Sequence, residues 1–215
     1  MKLAFVGMSH LGQTYKKACE IRGFETVNWK EADLVFVTED VTNHKDMTLV
    51  THHLNDVIEL PELIPIIVCS QIPPGFLRPY MKRLNLFYQV DTLIVNHALE
   101  RAVFPERIII GCKYRNEVLP VSYLAYLNVF NCPIFKMSLE SAELIKLAIN
   151  YFLAKQIETA NEINKIAKKL NADYEEMIPA IRADARIGQT AYIKPGVVGG
   201  NLVRDVITIK ELLND

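Results

Sequence analysis

The chain has 215 residues, half of them hydrophobic and 23% charged, with a formal net charge of −1. That balance can bury a substantial core, and it sets up no field that would draw the chain to nucleic acid or to an anionic membrane. No run of about 18 apolar residues is present to span a bilayer. The apolar start ending in Gly7 lacks the small-residue cleavage site of a signal peptide, so it reads as a strand. Cys19, Cys69, Cys112 and Cys132 form no C-x-x-C pair. They are expected to be reduced and buried in a cytoplasmic protein, with neither a disulfide nor a metal role.

Residues 2–7 (KLAFVG) form a short apolar run closed by glycine, which predicts a buried parallel strand. Helical spacing over 11–22 follows and stops at Gly23, a helix C-cap residue. Short strands are predicted over Phe24–Trp29 and Ala32–Thr38, a helix over Asp46–Leu60 and a buried strand over Pro65–Ser70. Gln71–Gly75 is a turn, because its prolines remove donors and its glycine permits a positive φ. Thr92–Val95 and Arg107–Gly111 read as two more strands. Strands alternating with helices argue for a parallel sheet with right-handed crossovers.

Near residue 137 the pattern changes. Either Ser138 or Ser141 caps a long helix, since Leu139–Leu170 holds no Pro or Gly. Apolar residues from Leu144 to Ala154 occupy almost the whole helix circumference, which requires burial inside a domain or against another chain. Helices over Tyr174–Arg182 and Leu202–Leu213 flank a Gly- and Pro-containing loop over 188–200. The fold class is therefore α/β: a Rossmann-type parallel-sheet domain over residues 1–137, then an all-helical domain over 138–215.

Gly7-Met8-Ser9-His10-Leu11-Gly12 sits where strand becomes helix. In a dinucleotide fingerprint the first glycine allows the tight turn, the second lets backbone approach a pyrophosphate, and the third lets helix and strand pack. Such a turn is expected to present free amides to the diphosphate of NAD or NADP. Here Ser9 replaces the middle glycine and either crowds the phosphates or donates to them. The acidic residue usual about 20 residues on, which holds the ribose hydroxyls, is missing. Lys30 closes the second strand, either suited to a 2′-phosphate or simply solvated.

Several motifs then recur in one order. Residues 1–30 carry the Gly7/Gly12 frame and Gly23. Ser70-Gln71-Ile72-Pro73-Pro74-Gly75 is followed by Pro105-Glu106-Arg107-Ile108-Ile109-Ile110-Gly111. Next come Ala142-Glu143-Leu144-Ile145-Lys146 with Asn150, Phe152-Leu153-Ala154 and Asn161-Glu162. Asp184-Ala185-Arg186-Ile187-Gly188 precedes Pro195-Gly196, Gly199-Gly200 and Arg204-Asp205. Together they resemble the UDP-glucose/GDP-mannose dehydrogenase family over nearly the whole chain. The resemblance implies a Rossmann domain joined to a helical dimerisation domain, a homodimer, and a nucleotide-sugar substrate. It further implies oxidation of a sugar C6 hydroxyl to a carboxylate with NAD, through an aldehyde trapped on a cysteine thiol.

This chain departs from that pattern. Between Lys30 and Glu31 it omits a helix and a strand, so the Rossmann domain is trimmed and the adenine wall of the cofactor is expected to be reduced. Gly199-Gly200-Asn201-Leu202-Val203-Arg204-Asp205 is one residue short of the family loop and has no cysteine. Without a nucleophile the thioester route should fail. Two readings follow. One is an NAD(P)-binding oxidoreductase unable to complete the thiol-dependent double oxidation. The other is an inactive relative serving as a nucleotide-binding or structural homodimer. The chain is also expected to lack the family's separate UDP-binding domain.

Residue by residue, the resemblance implies catalytic roles for Lys146 and Asn150, one helical turn apart, and for Asp205 and Asp91. For the first pair the alternative is an ordinary helix surface with Glu143 pairing Lys146. For Asp205 it is an acid favoured at a helix N-terminus. Gly7, Met8, Ser9, His10, Leu11, Gly12, Lys30, Gln71 and Arg204 would bind the cofactor; Arg204 contacts a phosphate or is solvated. Arg186, Tyr192, Lys194, Gly199 and Gly200 would bind substrate, the glycines by close backbone approach or as plain turn residues. His52 and His53 read as surface or groove residues, since adjacent helical positions point about 100° apart. Cys69 could be offered as a substitute thiol, but its segment lines the cofactor side.

Overall fold

A computed structural model describes residues 1–214, with Val95 described only by its place in a short 3₁₀ turn. It divides into two compact units, Met1–Lys146 and Leu147–Asp215, so the divide falls inside a helix rather than at 137/138. Among the described residues, no helix is long and apolar enough to cross a membrane.

The first unit is built on strands β1 (Lys2–Val6), β2 (Glu25–Thr26), β3 (Leu34–Val37), β4 (Ile66–Val68), β5 (Leu86–Gln89), β6 (Ile108–Cys112) and β7 (Ile134–Ser138). They form one sheet in the order β2-β1-β3-β4-β5-β6-β7. All neighbouring pairs are parallel except β5 with β6. The helices of this unit are α1 (His10–Ile21), α2 (Thr48–Ile58), α3 (Ala98–Val103) and α4 (Val121–Asn128). Helix α5 (Leu139–Lys169) starts here and continues into the second unit, which also holds α6 (Tyr174–Ala183) and α7 (Gly200–Asn214).

Period-two alternation distributes the core. Leu3, Leu34 and Phe36 face one side of the sheet, with Leu11, Tyr15 and Ala18 of α1 and Tyr123, Tyr126 and Leu127 of α4. Ala4, Val35 and Val37 face the other side, with Val50, Leu54 and Val57 of α2. Helix α1 ends where Gly23 takes φ +85°. Its N–H and that of Phe24 donate back to Glu20 O and Cys19 O, so the last carbonyls are satisfied.

Thr92–Val95 is not a strand; the chain pairs one segment earlier, at the fully buried β5. The stretch from Leu84 to Val95 carries apolar residues on both sides of Asp91, and its break is made by a side chain. Asp91 Oδ1 accepts from Leu93 N–H at 2.9 Å, turning the backbone out of the ladder. The apolar circumference around Leu144–Ala154 is partly covered within the chain, and the rest stands open to a second chain. Leu147 and Ala154 are buried, whereas Leu144 and Phe152 are 44% and 70% exposed.

Ser138 caps α5: its Oγ accepts from Ser141 N–H at 3.3 Å. Glu143, 1% exposed, does not pair with Lys146. Its carboxylate accepts from Gly75 N–H (2.5 Å) and Leu77 N–H (3.0 Å), holding the Pro-Pro-Gly turn. Burial raises the Glu143 carboxyl above its ordinary 4.5, opposed by those two amides. A carboxyl whose folded-state value is raised supports folding fully below 4.5 and less as pH climbs through that raised value. Glu143→Gln offers one acceptor to two donors. It should cost about 1–3 kcal/mol and flatten that slope, read from urea midpoints across the acid range.

Candidate functional site

Strand β1 has β2 on one side and β3 on the other, so the chain order reverses there. In open α/β sheets ligands lodge at such a point, beyond the carboxyl ends of the strands. Gly7 and the β1–α1 turn lie at the end of β1, and Thr38-Glu39-Asp40 at the end of β3. Only a 3₁₀ turn over Trp29–Glu31 connects β2 to β3.

The glycine frame is intact. Gly7 has φ +88°, and a Cβ on Gly12 would sit 2.1 Å from Gly7 O. The amides are used differently from expectation. Ser9 occupies the N-cap of α1, yet its hydroxyl makes no capping bond. Ser9 Oγ donates to Thr38 O (3.2 Å) and accepts from Asp40 N–H (2.9 Å). Leu11 N–H donates to Asp40 Oδ2 at 3.3 Å. Glu39 Oε2 lies 3.0 Å from where a Gly7 Cβ would be, and it pairs with His53 Nε2 at 3.3 Å. One amide of the turn, that of Leu11, is therefore already taken by a carboxylate. Two carboxylates flank the turn, and both would oppose the charge of a dinucleotide's diphosphate. Met8 and His10 are exposed beside the turn. Lys30 has its N–H on Asn28 Oδ1 (3.1 Å) and its ammonium 5.2 Å from the Trp29 ring centre.

A second polar centre in the same unit surrounds Asp91, which is 2% exposed. Gln71 Nε2 donates to Asp91 Oδ2 (2.6 Å), Tyr15 OH to Oδ1 (3.4 Å), and Lys146 Nζ lies 3.9 Å from Oδ2. Gln71 thus serves Asp91. Burial, then the Asp91 charge, push the Tyr15 phenol well above 10.0, which keeps it a donor. The same two causes raise the Cys69 thiol well above 9.0, so it is held as an inert thiol. Four free cysteines are present, three of them buried.

In the helical unit, Asp205 is fully buried and Asn150 nearly so. Asn150 Nδ2 donates to Asp205 Oδ2 at 2.5 Å. Arg204 donates through Nε to Asp205 Oδ1 at 2.7 Å, with its Nη2 2.6 Å from the same oxygen. Arg204, with its side chain 8% exposed, is a partner of Asp205 rather than a solvated phosphate hook. The loop over 188–200 is pinned from α5 and α6. Asn161 bonds Gly196 both ways at 2.9 Å, Gln156 Oε1 accepts from Tyr192 N–H (2.9 Å), and Tyr174 OH donates to Ile193 O (2.8 Å). Tyr192, Lys194 and Arg182 line a cavity of about 350 Å³. Arg186 lines a separate cavity and forks onto Asp184 at 3.0 and 2.6 Å. Gly199 and Gly200 have open space where a Cβ would stand. Among the described residues, no group of three or more His, Cys, Asp or Glu is placed to hold a metal.

Asp40, Glu39 and Tyr15 escaped the sequence reading, and His53 was read only as a surface or groove residue. The available signal was position: an acidic pair directly after an apolar strand at the reversal of strand order.

Residues 140–214 match the model of the UDP-glucose/GDP-mannose dehydrogenase family, central domain. The UDP-glucose 6-dehydrogenase of Campylobacter jejuni is 28% identical over 155 residues, covering 70% of this chain and 39% of that protein. The putative UDP-glucose 6-dehydrogenase YtcA of Bacillus subtilis is 30% identical over 175 residues, covering 74% and 41%. The chain thus spans about two fifths of the length of these relatives. In fold it resembles a UDP-glucose dehydrogenase from Pyrobaculum islandicum, with a TM-score of 0.79 at 21% identity, covering 99% of this chain and 64% of that one.

Proposed function

From the match of residues 140–214 to the central-domain model of the UDP-glucose/GDP-mannose dehydrogenase family, we propose that the chain is a cytoplasmic homodimer that binds a nucleotide sugar without oxidising it to the acid. The observation that carries this is the state of the segment 199–205. It holds no thiol to trap an aldehyde, and its one carboxylate, Asp205, is buried against Arg204 and Asn150. The residues suited to an anionic sugar nucleotide are Lys194 and Tyr192, beside Arg182 in the cavity of the helical unit. There an ammonium and a guanidinium can meet a diphosphate, and the Tyr192 ring offers an apolar face. Arg186, Gly199 and Gly200 remain candidates at the rim of the same loop. Dimerisation is supported by Phe152 on α5 and Leu170 just past its end, 70% and 72% exposed.

UDP-glucose should raise the unfolding midpoint of the full chain, because a ligand of the native state alone stabilises it. Lys194→Ala should weaken calorimetric binding about tenfold. If neither UDP- nor GDP-sugars move the midpoint at millimolar levels, the reading fails. A single hydride transfer with NAD or NADP is the second reading, favoured by Lys146 beside Asp91. Growth of nicotinamide absorbance on mixing protein, UDP-sugar and NAD(P) would establish it.

A further inference from the structure

We propose that Asp40 is a built-in anion occupying the seat where this fold holds a diphosphate, so that the chain does not take up NAD or NADP through its β1–α1 turn. A helix N-terminus presents unpaired N–H groups and the positive end of the helix dipole, and it attracts whatever anion can reach it. In α1 no side chain of the helix's own first turn answers that demand. The first turn holds no acid, and the N-cap Ser9 makes no capping bond. The answer comes from 29 residues away, where the Asp40 carboxylate receives Leu11 N–H.

Three further bonds fix the plug in place. Ser9 Oγ takes the Asp40 N–H and gives its own proton to Thr38 O, so the hydroxyl clasps the glycine turn to the end of β3. A serine at the position where the pattern asks for glycine is thereby explained by a bond within the chain. Glu39 N–H donates to Ser70 Oγ at 2.7 Å, which ties the same segment to the end of β4. The Glu39 carboxylate lies over Gly7 and is held by His53.

Two of the surfaces that a diphosphate would use, the backbone at Gly7 and the amide of Leu11, therefore already face carboxylates. An arriving diphosphate would have to displace one carboxylate and sit against the other, like charge against like charge. A tethered carboxylate also competes at high effective concentration, because the fold holds it at the site. This inference stands apart from nucleotide-sugar binding in the helical unit: either can fail with the other intact.

The test uses the full chain labelled with nitrogen-15 and inorganic pyrophosphate as the probe, following the Leu11 amide resonance. In the wild type that resonance should not respond to pyrophosphate, and calorimetry should give no heat with NAD or NADP. Asp40→Ala should move the Leu11 resonance before any ligand is added. It keeps the backbone N–H that bonds Ser9, and it should then bind pyrophosphate at least about tenfold more tightly than the wild type. Glu39→Gln with Asp40→Asn, which preserves both shapes while removing both charges, should gain affinity as well. This second variant keeps the test decisive if alanine unfolds the turn. Saturable binding of pyrophosphate or NAD by the wild type would overturn the proposal. So would a Leu11 resonance indifferent to Asp40→Ala, or folded variants no better at binding pyrophosphate than the wild type.

Discussion

Asp205→Ala is expected to cost the native state about 3–5 kcal/mol, seen as a large drop in the urea midpoint at unchanged slope. Asp205 has no solvent exposure, and its two oxygens serve Asn150 on α5 and the neighbouring Arg204 on α7. Removing the carboxylate withdraws the negative partner from a guanidinium whose side chain is 8% exposed. Desolvation decides the size, since breaking one side of a buried ion pair costs more than deleting both. Arg204→Met in the Asp205→Ala background should therefore recover part of the loss. A single variant within about 1 kcal/mol of the wild type would mean that Asp205 is not the anchor described here.

Gly12→Ala should be the most damaging single methyl addition in the sheet unit, at about 2–3 kcal/mol. The new Cβ would stand 2.1 Å from Gly7 O, 2.8 Å from Thr38 Oγ1 and 3.1 Å from Thr38 O. Two of those atoms are backbone, so no flexible tip can swing away. Gly23→Ala makes the contrast. Its φ of +85° is strained for alanine, but nothing lies within 4 Å, so about 1 kcal/mol is expected. Thermal unfolding of the two variants side by side tests whether close approach or backbone conformation dominates. Equal losses would refute the ranking.

What could be seen in the sequence were features written in consecutive residues. The run into Gly7 marked β1, the apolar run 32–38 marked β3, and the stretch from Leu139 without Pro or Gly marked α5. Gly23 ended α1 as its type suggests. Illegible were features that depend on a side chain crossing the fold. Asp91 ends β5 through its own carboxylate, so the stretch from Leu84 to Val95 gave no visible boundary. Asp40 reaches Leu11 and Glu143 reaches Gly75, pairs 29 and 68 residues apart. A glycine fingerprint records the backbone of a turn. It does not record which carboxylate has moved in beside it, and that is why the Asp40 contact to Leu11 was not foreseen.

Glu143 has a bearing on how the two units could have been assembled or exchanged. The first turns of α5 bury Leu139, Ala142 and Glu143 in the sheet unit, and only beyond Lys146 does the helix belong to its second half. A recombination joint placed at the outset of α5 would strip the Pro-Pro-Gly hairpin of its acceptor and bare the flank of β6 at Gly111. The natural seam between modules therefore runs about two turns into a continuous helix, and any grafted replacement would have to inherit those turns.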